Sequence, residues 1–193
     1  MLFGDVKIST EELAHRLCRE IRENLTLVGP RPPDKESTKC VFKVLHEIGQ
    51  SLGYEVLGTH IEACQEWLLD VVWWKNYSWP EIGIALAVEC EWKTGKRELV
   101  DDFQKLLCTK APLKVFIYDG GNVPADGNEP QTWIKEEMRK YHHHVAGETY
   151  LFAAFGDRDQ YCHKFVVPHD GALESVDFEL LVTPEVVAQA ALA

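Results

Sequence analysis

The sequence predicts an α/β domain of three layers, with helices on both faces of a mixed central β-sheet. Three observations carry this expectation. Short apolar runs of strand length alternate with amphipathic stretches at helical spacing. The run Ile84-Ala-Leu-Ala-Val88 is apolar without interruption, as in a strand covered on both faces. The succession strand, helix, strand between residues 84 and 118 implies a crossover, which lays the later strand parallel to an earlier one. With 193 residues and 46% apolar content, the chain is long enough for a single domain with a full core.

The elements follow in order. Ser9-Thr-Glu-Glu12 has the form of a capping box, so Ser9 starts a first helix with Leu13, Leu17 and Ile21 on one face. Gly29-Pro-Arg-Pro-Pro-Asp34 interrupts it as a connector. A second helix spans Ser37 to Ser51, with Val41, Val44, Leu45, Ile48 and Leu52 as its stripe and Gly53 as its stop. Strands at 54–59, 67–74 and 84–92 have short links, which favours an antiparallel meander. Lys75–Pro80 and Lys93–Arg97 are turns. A helix at 98–110 precedes the strand Leu113–Tyr118, and a Gly/Pro-rich loop at 119–130 precedes a helix at 131–144. Residues 149–155 and 161–167 form a closing hairpin. The tail from Pro168 adds a strand at 178–182 and a short Ala-rich helix after Pro184.

Composition narrows the function. No apolar run reaches 18 residues, so no membrane span is expected. The first ten residues lack the pattern of a signal peptide. Six scattered cysteines without a Cys-x-x-Cys pair suit buried free thiols in a reducing compartment, which makes the cytoplasm the expected location. The net charge of −11 counts against a simple nucleic-acid binder but leaves room for a metal-dependent enzyme with a locally different charge.

The chemistry gathers at the end of the 84–92 strand. Glu89, Glu91 and Lys93 alternate there, so their side chains share one face, roughly 6–7 Å apart along the strand. Neighbouring carboxylates are costly unless neutralised, and a divalent cation neutralises them well. Asp70 is the one acid inside the preceding apolar run, and Glu47 lies at the boundary of the second helix's stripe. The bland alternatives are a strand-edge Asp70, a solvated cluster of Glu89 and Glu91 with Lys93, Lys96 and Arg97, and a surface Glu47. His142-His-His144 at a helix end points three ways and reads as surface histidine. The aromatic group Trp67, Trp73, Trp74, Tyr77 and Trp79 reads as core and rim.

From Ser37 to His144, the order helix, three strands, helix, strand, helix, with acids at these places, resembles the restriction-endonuclease-like, or PD-(D/E)XK, nuclease superfamily. The resemblance implies a phosphodiester hydrolase using Mg²⁺ or Mn²⁺, with Asp70, Glu89 and Glu91 as ligands and Lys93 beside the reacting water. It implies that Glu47, the helix glutamate, holds a water of the ion. Two departures stand out. The motif position two after Glu89 holds Glu91 instead of lysine, a change some members share, unless the motif is read as Glu91-Trp92-Lys93. Leu69 replaces the proline before the acid. Lys105 is discounted as a migrated lysine, because it lies 160–200° from its helix's apolar centre by the wheel. The implied partner is nucleic acid. A protein partner on a non-catalytic scaffold, an acidic mimic of nucleic acid, and a homodimer through the Trp-rich segment are the alternatives.

Overall fold

The computed structural model describes residues 2–3, 8–28, 34–58, 68–75, 82–120, 129–155, 160–169, 173 and 175–182. Strands β1 (Leu2–Phe3) and β2 (Ile8–Ser9) form a small antiparallel pair before helix α1 (Thr10–Val28). Helix α2 (Asp34–Ser51) and strands β3 (Glu55–Gly58), β4 (Val71–Lys75) and β5 (Gly83–Glu91) follow. Helix α3 (Lys96–Cys108), strand β6 (Leu113–Asp119) and helix α4 (Glu129–Lys140) come next. Strands β7 (Thr149–Phe155), β8 (Gln160–Val166) and β9 (Glu179–Val182) complete the order.

Local chemistry explains the ends of these elements. Ser9 and Glu12 bond each other reciprocally: the Ser9 N–H donates to Glu12 Oε2 at 2.9 Å and the Glu12 N–H to Ser9 Oγ at 3.2 Å. Two backbone donors at the start of α1 are thereby satisfied, as the capping box requires. After α2, Gly53 takes a φ of 85°, a left-handed conformation natural to glycine, and the chain turns into β3. The strand expected at 67–74 begins four residues later, at Val71; residues 61–67 lie outside the described set, as do Tyr77, Trp79 and the tail helix expected after Pro184.

The seven-stranded sheet is ordered β3-β4-β5-β6-β7-β8-β9, so each strand neighbours its successor in the chain. The joints β5–β6 and β6–β7 are parallel and the other four antiparallel, which makes the sheet mixed. The meander β3–β4–β5 and the parallel crossover through α3 match the expectation from sequence. Alternate residues feed two cores, because successive side chains point to opposite faces. Val88, Val115, Ile117, Leu151 and Ala153 pack with Val41, Leu45 and Ile48 of α2 and Leu13, Leu17 and Ile21 of α1. Ala87, Phe116, Tyr118, Tyr150 and Phe152 pack with Leu99, Phe103 and Leu106 of α3 and Ile134 and Met138 of α4. Helices therefore cover both faces, giving three layers. Phe103 anchors the second core among Phe116, Tyr150 and Phe152, with ring centroids 5.5, 6.3 and 5.9 Å away. Each such pair adds roughly 0.5–1.5 kcal/mol beyond area burial.

Two further expectations change. Helix α4 stops at Lys140, so His142–His144 follow it instead of forming its last turn. His142 and His143 are exposed, but His144 is half-buried, its Nε2 2.9 Å from the Met138 carbonyl and its ring edge-on to Tyr141 and Tyr150. Burial first, and the nearby Lys114 charge, hold its pKa below the ordinary value. The ring thus adds a second partner to a helix-end carbonyl that also accepts the Tyr141 N–H at 3.3 Å. The five described cysteines are free, three of them buried and Cys108 exposed.

Candidate functional site

The acids meet where β5 ends and β4 begins. Strands β4 and β5 pair as far as Val71↔Val88, and at that point the ladder changes hands. The next amide of β5 on that side, Cys90 N–H, donates to Asp70 Oδ2 at 2.9 Å. Asp70 is therefore not a strand residue, as the sequence suggested, but the last residue of the bend before β4. Its carboxylate stands in for a backbone carbonyl and is thereby fixed beside β5.

Glu89 points to the α3 face and is only 1% exposed. Its carboxyl lies against that of Asp70, and burial raises the pKa of both from the ordinary value. For Glu89, burial comes first and the Asp70 charge second, and together they push it up to about 9. Glu89 thus keeps its proton at neutral pH. Among the described residues, Glu89 Oε1 is buried without a hydrogen-bond partner.

Glu91, two residues on and half-buried, accepts the Lys93 backbone N–H at Oε1, 2.8 Å away. Burial raises its pKa, and a hydrogen bond to Asp102 raises it further against the lowering effect of the Lys93 amide. Asp102 belongs to α3 and was not among the site residues expected from sequence, where it counted as an acid against the nuclease reading. It in turn pairs with Lys105, whose Nζ lies 2.6 Å from Asp102 Oδ1 and 3.5 Å from Glu89 Oε2. Burial pulls Lys105 down, but the bond to Asp102 and the charges of Glu89, Asp102 and Asp70 outweigh it, and its pKa rises.

Lys105 is the correction of most weight. The wheel placed it far from the apolar centre of α3, and this is true: Leu99, Phe103, Leu106 and Leu107 are the buried residues. But α3 lies over β5 and β6, so its flank and not its centre overlooks the start of β4. A four-carbon stem on that flank reaches back over the sheet end. The lysine expected at the site, Lys93, contributes its backbone amide, while its side chain is exposed.

The structure does not bring Glu47 to these acids. It lies on α2, across the sheet from α3, with its carboxylate 60% exposed and 3.8 Å from Lys43 Nζ. The end of α2 near the site is the other one: Trp92 Nε1 donates to Thr38 Oγ1 at 3.0 Å. Glu47 is nine residues further along, roughly 13 Å down the helix axis. Cys90 and Trp92 face the α1/α2 core, as their alternation with the acids predicts.

Among the described residues, no group of three or more His, Cys, Asp and Glu side chains stands together in a form that could hold a metal ion. Asp70 and Glu89 offer a smaller donor set, two carboxyls with one buried oxygen unengaged. That set fits Mg²⁺ or Mn²⁺, hard ions that retain several waters and bind through one or two carboxylates plus substrate phosphate. No helix of the described residues is long and apolar enough to cross a membrane. The chain matches no protein-family model, no curated protein and no solved structure.

Proposed function

We propose that the protein is a divalent-metal-dependent phosphodiesterase acting on nucleic acid, of restriction-endonuclease-like type. One observation carries the reading: Asp70, Glu89 and Lys105 converge at the end of β5, around a buried carboxylate oxygen with no partner among the described residues. A helix, an antiparallel three-strand meander, a crossover helix and a parallel strand, in that order, support the fold resemblance.

Asp70 and Glu89 would hold the ion, with Cys90 N–H orienting the Asp70 carboxylate. A divalent cation held there neutralises phosphate charge and lowers the pKa of water. Lys105 supplies the ammonium that the Glu-x-Lys position lacks, reaching the acids from α3 to offset charge developing on the phosphate. Asp102 positions that ammonium. Glu91, tied to the Lys93 amide and to Asp102, closes the far side of the cluster.

Calorimetric titration of Mn²⁺ into the protein and into Glu89→Ala tests the reading, followed by cleavage assays on single- and double-stranded DNA and RNA. Saturable binding lost in Glu89→Ala, with cleavage lost in parallel, is the expected result. No binding at millimolar metal and no cleavage would remove the proposal. It would then favour a binding scaffold, in which Lys105 and Asp102 close the acids into a structural ion network; the net charge of −11 and the lack of a three-ligand group among the described residues favour this second reading.

A further inference from the structure

Lys105 holds its two partners unequally. The contact with Asp102, at 2.6 Å, joins residues three apart on one helix. The contact with Glu89, at 3.5 Å, crosses from helix to sheet and lies at the limit of a hydrogen bond. Exposure differs as well: the Lys105 side chain is 35% exposed and that of Glu89 1%. The ammonium thus approaches the buried acid from the solvent side and stands at its mouth. An ammonium on a flexible stem is a point charge without a fixed fork, so it can let go of one carboxylate and keep another.

We propose that Lys105 is the resident counter-ion of the Asp70–Glu89 pair, displaced from Glu89 by an entering divalent cation while Asp102 retains it. This rests on the metal reading above and adds a gate to that site. The groups facing Lys105 are Asp70 from the bend before β4, Glu89 from β5 and Asp102 from its own helix. A cation bound to Glu89 would share a weakly screened space with the ammonium, and two like charges there repel strongly. One must move, and only Lys105 has both an open route to solvent and a second carboxylate to hold it. Lys105 therefore stands where a cation on Glu89 would bring its charge, and the affinity for metal is what remains after that lysine is displaced.

The test is Mn²⁺ binding by calorimetry at fixed pH on the full chain and on Lys105→Met, Lys105→Gln and Lys96→Met. Lys96 is the charge control: it lies on the same helix, 3.4 Å from Glu136, without contacting the acids. Circular dichroism confirms that each variant is folded. Both Lys105 variants are expected to bind Mn²⁺ about ten-fold tighter or better, and Lys96→Met within about two-fold of the native protein, because only contact-range charge is weakly screened. Saturable binding seen in the Lys105 variants alone supports the gate equally. Native-like or weaker binding in those variants, or an equal gain in Lys96→Met, overturns the gate and leaves the metal reading standing. No saturable binding in any of the four proteins overturns both.

Discussion

The Cys90 backbone N–H donates to Asp70 Oδ2 at 2.9 Å, so one side chain both ends the β4–β5 ladder and faces the candidate site. Structure and chemistry can be separated here. Asp70→Asn keeps an acceptor oxygen for the amide; Asp70→Ala leaves that amide unpaired. Asp70→Ala is expected to be about 1–3 kcal/mol less stable than Asp70→Asn in urea denaturation. Both are expected to lose Mn²⁺ binding. Equal stability of the two variants would show that the bond does not hold the ladder end.

Glu89 gives a pH dependence of definite sign. Folded, it keeps its proton up to about pH 9; unfolded, a glutamate releases it near 4.3. Between those values the folded state binds more protons, so this group lowers stability as pH rises through the window. Glu89→Gln, permanently neutral, is expected to flatten the profile and to exceed the native protein at pH 8 by on the order of several kcal/mol. Melting temperatures from pH 5 to 9 measure it. A native protein that matches Glu89→Gln across the range would place the carboxyl in a wetter setting.

Gly49 inverts the usual rule for helical glycine. Alanine normally stabilises a helix by about 1 kcal/mol over glycine. A Cβ at Gly49 would sit 2.6 Å from Val56 Cγ2 and 2.7 Å from Trp73 Nε1. Trp73 is fully buried and donates to the Leu45 carbonyl at 3.1 Å, so it has no room to yield. Gly49→Ala is expected to cost roughly 1–3 kcal/mol by overpacking. A melting temperature at or above native would contradict the packing.

Lys114 is 1% exposed, with Nζ 2.8 Å from Glu148 Oε2 and 3.0 Å from the Tyr150 hydroxyl. Removing one ion strands the other, so Lys114→Met alone is expected to cost about 3–5 kcal/mol. Lys114→Met combined with Glu148→Leu replaces both and is expected to recover most of that loss. A double-mutant cycle in urea reads the coupling. Additive losses would mean that the pair is held apart by solvent.

The sheet was legible because its signal is local. Ile84–Val88 declares a strand buried on both faces, and the alternation of Glu89, Cys90, Glu91 and Trp92 sorts acids from core without knowledge of neighbours. What failed was relational. Lys105 sits where a wheel puts solvent, and only the position of α3 over β5 and β6 reveals that its flank faces the acids. Asp70 was found by composition but misplaced by one step, since a carboxylate replacing a ladder carbonyl leaves no periodic trace. Glu47 has the boundary angle of a site residue at the wrong height along its helix. Lys114 hides inside an apolar strand because its partner is 34 residues away.

The sequential order of the sheet bears on how the chain is born. Because every strand from β3 to β9 adds beside the one just made, pairing can proceed outward from the amino-terminal side during synthesis, with no gap left open for a later strand. The candidate site lies within residues 70–105, so all its side chains exist before β6 is translated. Closure comes after that: α1, made before the strands of the sheet, packs against β9, the last of its strands among the described residues. A nascent chain halted before residue 179 would carry the complete set of acids on a sheet whose far border, and the helix meant to cover it, still lack each other.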